Sequence, residues 1–182
     1  NPNQVLLSIT KDVHSRQLVT EQTTADYRAE FGRISSSLSD ARDFNEWCAV
    51  YRKLVNWEIE LTDSTDSGIR EILAYQEEEA NNEFGKFVKR NYLDWINRRD
   101  DDTPVMSHTL LRTRVFPLIE EREKTTLLVI DNFRYDQWRS ISSLLHNYYD
   151  IESEDFYCSI LPTATQYARN ALFAGLMPLA ID

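Results

Sequence analysis

The run TLLVIDNFRYDQW, residues 126–138, joins an apolar, β-rich segment to a helical pattern through one acid, Asp131. The run ILPTATQYARNALFAGLMP, residues 160–178, has the same arrangement, with the hydroxyls of Thr163 and Thr165 ahead of its helical pattern. In open α/β sheets, ligands bind where strands end and helices begin. We therefore expect Asp131 and one of these threonines to share a metal ion.

Two motifs within these runs, VIDNFRYDQW (129–138) and LPTATQYARNALFAGLMP (161–178), resemble the PglZ-type branch of the alkaline phosphatase superfamily. Across most of its length the chain is similar to the PorX-type response regulators of Bacteroidetes. That family has a receiver domain, a helical linker bundle and a PglZ-type metallohydrolase domain in series. The resemblance implies that this chain begins at the end of a receiver domain and stops within the hydrolase domain.

The resemblance also implies a set of site residues. Asp131 matches the metal ligand of the first motif. Thr165 matches the second threonine of a P-T-x-T signature, which attacks phosphorus and contacts the metal. Arg169 and Asn170 stand slightly beyond the position of the superfamily's Asn-His pair, so they are the candidate phosphate contacts. The implied cofactor is zinc, as a pair of Zn²⁺ ions in the intact domain, with the remaining ligands expected beyond Asp182.

Four candidate helices occupy the first half of the chain, a short one followed by three longer ones. An amphipathic opening at residues 1–11 is expected to be a separate short helix, with residues 1–14 ending a receiver domain. Helices are predicted over residues 18–38, from Asp43 onward and over residues 67–97, which predicts an antiparallel three-helix bundle within residues 15–102. Asp43 and Glu46 form a capping-box pattern at the second helix. The predicted core is apolar and mostly aromatic or branched: Tyr27, Phe31, Ile34, Leu38, Trp47, Val50, Tyr51, Leu54, Val55, Trp57, Leu61, Ile72, Leu73, Tyr75, Phe84, Phe87, Val88, Tyr92, Leu93, Trp95 and Ile96.

The second half predicts a small α/β region. A charged linker at residues 98–104 precedes a helix over residues 107–123, which we expect to kink or break near Pro117. The pattern then predicts strands at residues 126–131 and 156–161, and helices at residues 134–148 and 166–176. The predicted fold class is therefore mainly α, with a linker bundle followed by the N-terminal α/β portion of a hydrolase domain at residues 103–182.

Each candidate site residue also has a structural interpretation. Asp131 is equally suited to cap the following helix. Thr163 and Thr165 suit a turn and an N-cap position. Arg169 either clamps a phosphate or pairs with Asp136 or another acid. His108 has either a structural or an active-site role, with the structural one favoured.

The charge balance restricts the partners. Lysine and arginine number 20 against 30 acidic residues, a net charge of −10, which disfavours duplex nucleic acid. No segment is apolar enough to predict membrane insertion or a signal peptide, so a cytoplasmic location is expected. Cys48 and Cys158 are expected to be free, buried thiols, and the alternative is a single long-range disulfide.

Two functions follow from these observations. The first is a metal-dependent phosphodiesterase or phosphatase with nucleotide-type substrates, inactive in a chain of this length alone. The second is a non-catalytic signalling module, in which the bundle relays phosphorylation to dimerisation or partner docking. Expected partners are a receiver domain with its sensor histidine kinase, and a sigma factor or a secretion-system component. The resemblance implies that this secretion system is of type IX. A purely structural helical protein is the third interpretation.

Overall fold

The computed structural model describes residues 2–64, 66–97, 103–122 and 124–181, and this part of the chain is predominantly α-helical. The chain forms two compact units. Unit 1 contains Asn1–Arg90 and Arg134–Ser143, and unit 2 contains Asn91–Phe133 and Leu144–Asp182. The predicted mainly α class is confirmed.

Unit 1 is built on three helices, α1 (Pro2–Asp40), α2 (Phe44–Glu60) and α3 (Ser67–Asn97). Side-chain contacts show the helix directions. On α2, Trp57 packs on Tyr27 and Lys53 pairs with Glu30, so α2 runs antiparallel to α1. At the other end, Trp47 of α2 packs on Phe84 and Phe87 late in α3, so these helices are antiparallel too. The predicted three-helix arrangement is confirmed.

One prediction for unit 1 is wrong. The opening segment is not a separate short helix, because α1 is continuous from Pro2 to Asp40. No proline or glycine occurs between residues 3 and 31, so nothing in this stretch interrupts the backbone hydrogen-bond ladder.

The N-terminus of α2 is closed by the predicted capping box. The Glu46 N–H donates to Asp43 Oδ1 at 2.9 Å, and the Asp43 N–H donates to Glu46 Oε2 at 3.4 Å. Asp43 has extended backbone angles, as an N-cap residue requires. Local chemistry therefore sets where α2 begins.

The core of unit 1 matches most of the predicted stripe, including Ile34, Trp47, Leu54 and Phe87. On α3, however, Ile72, Tyr75 and Leu93 are exposed, contrary to the prediction. The buried face of α3 is instead centred on Gln76, which is fully buried. A polar residue at the centre of a helix face conceals that face from a search for apolar periodicity.

Gln76 joins α3 to α1 through buried hydrogen bonds. Tyr27 Oη donates to Gln76 Oε1 at 2.8 Å. Gln76 Nε2 donates to the Phe31 carbonyl at 3.1 Å and to Ser35 Oγ at 3.0 Å. Burial and the nearby charge of Glu77 raise the pKa of Tyr27 to about 12. The Tyr27 phenol therefore stays neutral and remains a donor.

After the end of α3, the next helical segment of unit 2 is bent. It contains α4 (Ser107–Leu110), a π-helical turn (Leu111–Val115) and α5 (Phe116–Glu121). The Phe116 N–H donates to the Leu111 carbonyl, five residues back. Pro117 has no N–H to offer Thr113, and its ring would clash with that carbonyl in an α-helix. The wider turn removes this conflict, and the predicted irregularity near Pro117 is confirmed.

The predicted strand at residues 126–131 is not formed: residues 126–130 have no regular secondary structure, and Asp131 lies in a turn. Its apolar side chains are exposed, Leu128 most of all at 78%. Within the described residues, no neighbouring backbone supplies the ladder hydrogen bonds that a strand needs. The strand predicted at 156–161 is reduced to one parallel bridge between Met106 and Cys158.

Two further helices follow, α6 (Tyr135–Leu145) and α7 (Thr165–Ala174), and α7 carries Thr165, Arg169 and Asn170. The last turn of α7 closes on Gly175, whose φ of 67° is in the left-handed region that favours glycine. Most of the predicted linker at residues 98–104 lies outside the described residues.

Both cysteines are free thiols, as predicted, although Cys48 is only partly buried. In the part of the chain that the structure describes, no helix has the length and apolarity needed to cross a bilayer.

Candidate active site

Asp131 lies in a turn directly after the irregular apolar segment 126–130. The next residue, Asn132, has a φ of 57°, a left-handed conformation that asparagine tolerates better than most residues. Because α6 begins at Tyr135, its N-cap position belongs to Arg134 and not to Asp131. The helix-capping interpretation of Asp131 is therefore wrong, and its carboxylate is available for other contacts.

Thr165 is the first residue of α7, and Ala164 occupies the N-cap position. An alanine side chain cannot accept a hydrogen bond, so the first N–H groups of α7 are not capped by it. Both Thr163 and Thr165 are exposed. Neither threonine is the N-cap residue, which removes the N-cap interpretation for both. The Thr165 hydroxyl stands beside the positive end of the helix dipole.

Arg169 connects these two places. Its Nη1 lies 3.5 Å from Asp131 Oδ2, and the two side chains are 53% and 56% exposed. Arg169 is four residues beyond Thr165, so both lie on the same face of α7. The turn at Asp131 is therefore held against the α7 face that begins with Thr165.

The alternative partner considered for Arg169 is already occupied. Asp136 accepts from Arg134 Nε at 2.9 Å and Arg134 Nη2 at 2.5 Å, and this pairing lowers the Asp136 pKa. Arg169 instead pairs with another acid, Asp131, which is the structural alternative given for this residue. Asn170 is exposed on α7 directly after Arg169.

Tyr157 belongs to this site and was missed in the sequence. Burial raises the pKa of its phenol, and the negative charge of Asp131 raises it further. The phenol is thus within electrostatic range of the Asp131 carboxylate and stays protonated at neutral pH. Its neighbour Cys158 is buried in the bridge to Met106, and alternation in extended backbone turns Tyr157 to the other side.

The segment leading to the threonines is anchored by successive hydrogen bonds. The Cys158 N–H donates to the Val105 carbonyl at 2.7 Å, and the Ser107 N–H donates to the Cys158 carbonyl at 3.2 Å. The Ile160 N–H donates to Ser107 Oγ at 3.1 Å, and both residues are fully buried. We call residues 161–165 the threonine loop, which starts directly after this anchor.

His108 is placed away from the threonines. Its carbonyl oxygen lies 3.8 Å from where a Cβ on Gly175 would be, at the C-terminal end of α7. The 10 residues of α7 make it about 15 Å long, so Thr165 is at the opposite end. Of the two interpretations of His108, this position favours the structural one.

The donors suited to a metal are a carboxylate from Asp131 and a hydroxyl from Thr165. Structural and catalytic zinc sites take three or four protein ligands. Within residues 2–64, 66–97, 103–122 and 124–181, no three His, Cys, Asp or Glu side chains lie together as such a set. The described residues therefore show no complete zinc site, and metal binding by Asp131 and Thr165 stays a prediction.

Comparison with known protein families gives two matches. Residues 17–96 match the PorX response regulator linker domain, and residues 110–182 match the BREX system PglZ alkaline phosphatase-like domain. No curated protein matches the chain significantly. The first match covers the helices of unit 1, and the second covers Asp131 and α7. The chain therefore has the PorX-type architecture, in which a response-regulator linker domain is followed by an alkaline phosphatase-like PglZ effector domain.

Proposed function

We propose that Asp131 and Thr165 belong to the active site of a metal-dependent phosphoric ester hydrolase. The observation that carries this proposal is the contact between Asp131 and Arg169, which brings a carboxylate to the α7 face that starts with Thr165. A hydroxyl and a guanidinium beside a helix N-terminus suit an anionic phosphoryl group, and the carboxylate suits the metal ion that would bind that group.

In the proposed reaction, Thr165 is the nucleophile. Its oxygen forms a bond to phosphorus while the bond from phosphorus to the leaving oxygen breaks, and that oxygen leaves with a proton. Water then hydrolyses the phosphothreonine and restores the hydroxyl. Bound zinc would supply a Lewis acid and lower the pKa of the hydroxyl, which is a weak nucleophile by itself.

Arg169 and Asn170 are proposed to hold the phosphoryl oxygens. To do so, Arg169 must exchange its contact with Asp131 for one with substrate. Because both side chains are about half exposed, the ion pair is worth about 0–1 kcal/mol and its opening costs little. Asp131, released from Arg169, is then free to bind the metal.

Nucleotides or short oligonucleotides are the proposed substrates, by analogy with phosphodiesterases of the alkaline phosphatase superfamily. The net charge of −10 does not conflict with this class. A metal ion and one arginine are enough to neutralise a single phosphodiester locally, whereas a duplex requires an extended basic surface.

The test is hydrolysis of bis-(p-nitrophenyl) phosphate by the protein in its full natural length, with added Zn²⁺ and with EDTA. We expect Thr165→Val to reduce kcat by at least about 100-fold, because the nucleophile is lost. Thr163→Val is the matched control, also exposed and two residues away, and it should retain activity. Zinc-dependent hydrolysis that survives Thr165→Val would refute the proposed role of Thr165.

We further propose that the linker bundle relays receiver phosphorylation by a sensor histidine kinase to the effector domain. Its context would be the cytoplasm, with a sigma factor or a type IX secretion component as partner. The match to a response-regulator linker supports this role.

The exposed apolar segment 126–131 also favours self-association of the 182-residue chain. A single monomeric mass by light scattering at low and high concentration would contradict self-association.

A further inference from the structure

The threonine loop is joined to helix α3 by one side chain. The Leu161 N–H, the first of the loop, donates to Tyr92 Oη at 2.7 Å. Tyr92 lies near the C-terminal end of α3, five residues before Asn97. It falls within the segment that matches the PorX linker domain, whereas Leu161 falls within the segment that matches the PglZ domain.

Both residues belong to unit 2, which begins at Asn91. The end of the linker helix is therefore part of the same compact unit as the threonine loop. A hydrogen bond between them links two segments 69 residues apart in sequence. It reaches the backbone four residues before Thr165.

We propose that Tyr92 is a positioning residue, through which helix α3 sets the position of the threonine loop and of Thr165. This inference rests on the proposed function, because it assumes that Thr165 is the nucleophile. A nucleophile must be placed accurately against phosphorus, and displacement by about 1 Å is enough to cost about 100-fold in rate.

Two consecutive backbone donors, one directly before the threonine loop and one at its first residue, have different kinds of support. The Ile160 N–H is held by Ser107, a buried residue that starts α4. The Leu161 N–H is held by Tyr92, which extends from a long helix of the linker segment. Ser107 is thus an anchor inside the PglZ segment, and Tyr92 is the contact through which the linker acts on the loop.

The test uses Tyr92→Phe, which removes only the accepting oxygen. The matched control is Tyr75→Phe, the same change at an exposed position of the same helix. For Tyr92→Phe we expect faster hydrogen exchange at the Leu161 amide by NMR. We also expect kcat for bis-(p-nitrophenyl) phosphate to fall about twofold to tenfold, the rate equivalent of one hydrogen bond. KM and Tm should match the wild type, and Tyr75→Phe should change none of these quantities.

The outcomes separate this inference from the proposed function. Equal Leu161 exchange in Tyr92→Phe and Tyr75→Phe would overturn the inference, whatever the activity. Faster exchange with an unchanged kcat in an active protein would also overturn it, since the bond would then not position the nucleophile. Faster exchange in a protein whose wild type does not hydrolyse the ester would support the tie while rejecting the proposed function.

Discussion

Asp131 and Arg169 are 38 residues apart in sequence, and their side chains meet at 3.5 Å. This contact joins the turn at Asp131 to Arg169 on α7. It also places the proposed metal ligand and the proposed phosphate contact side by side. Because both side chains are about half exposed, the pair contributes little to stability.

Replacing Arg169 should affect activity far more than folding. We expect Arg169→Gln to change the free energy of unfolding by no more than about 1 kcal/mol, as an exposed ion pair is lost. The kcat for ester hydrolysis should fall about 100- to 1,000-fold, the usual cost of losing a donor to the transition state. Urea denaturation and steady-state kinetics measure the two effects. Arg139→Gln, an exposed arginine on α6, is the control, and equal losses of activity in both variants would contradict the prediction.

The Tyr157 phenol should report on the charge at Asp131. We expect Asp131→Asn to lower the pKa of Tyr157, although burial should keep it above its ordinary value. Asp136→Asn is the control for a different ring. Burial is the largest cause of the raised pKa of Tyr51, and the negative charge of Asp136 is the next. NMR titration of labelled tyrosines should therefore show each variant acting on one ring.

The same shift has a defined sign for stability. A raised pKa in the folded state means that folding favours the protonated phenol. The contribution of Tyr157 is therefore complete below the ordinary tyrosine pKa of 10.0 and is lost as the pH rises above it. Asp131→Asn should reduce this loss at alkaline pH. A Tyr157 pKa that does not respond to Asp131→Asn would show that the two groups are not neighbours.

The hydrogen bond between Tyr27 and Gln76 can be measured with a double-mutant cycle. Gln76→Leu leaves the Tyr27 phenol without its acceptor, and we expect a loss of about 1–3 kcal/mol in the free energy of unfolding. Adding Tyr27→Phe removes the stranded donor, so the double variant should lose less than the sum, with a coupling of about 1 kcal/mol. Gln22→Ala, at an exposed position of α1, should change stability by no more than about 0.5 kcal/mol. Additive losses in the cycle would exclude the coupling.

The cap of α2 gives a prediction that depends on local structure alone. Asp43→Ala removes the acceptor for the Glu46 N–H and should cost about 0.5–2 kcal/mol of unfolding free energy. Asp63→Ala, an exposed acid in the turn after α2, is the matched control and should cost no more than about 0.5 kcal/mol. Thermal and urea unfolding measure both. Similar losses in the two variants would mean that charge and not capping is responsible.

Much of the helical fold was readable from local patterns. The capping pair Asp43 and Glu46 predicts the start of α2, because capping depends on residues within one turn. The irregularity near Pro117 was predictable for the same reason. The exposure of Tyr75 and Leu93 was not predictable, because tertiary packing decides which face of a helix is buried. The buried face of α3 is centred on the polar Gln76.

The candidate site divides in the same way. Thr165 at a helix start and Asp131 at the end of an apolar segment were identified from their immediate neighbours in sequence. Tyr92 and Tyr157 were missed, because one lies in a helix with an apparent packing role and the other in a segment without a motif. Their roles depend on Leu161 and on Asp131, each in a distant part of the chain.

The sequence by itself determined the order of the helices, their caps, the excess of acidic charge and the two motifs that carry a carboxylate and a hydroxyl. These properties arise from interactions over a few residues. The tertiary structure alone decided that residues 105–107 bond to residues 158–160 while residues 126–131 stay unpaired, and that Asp131 contacts Arg169. Such contacts join parts of the chain whose separation local preferences do not encode, so only packing of the whole unit selects them.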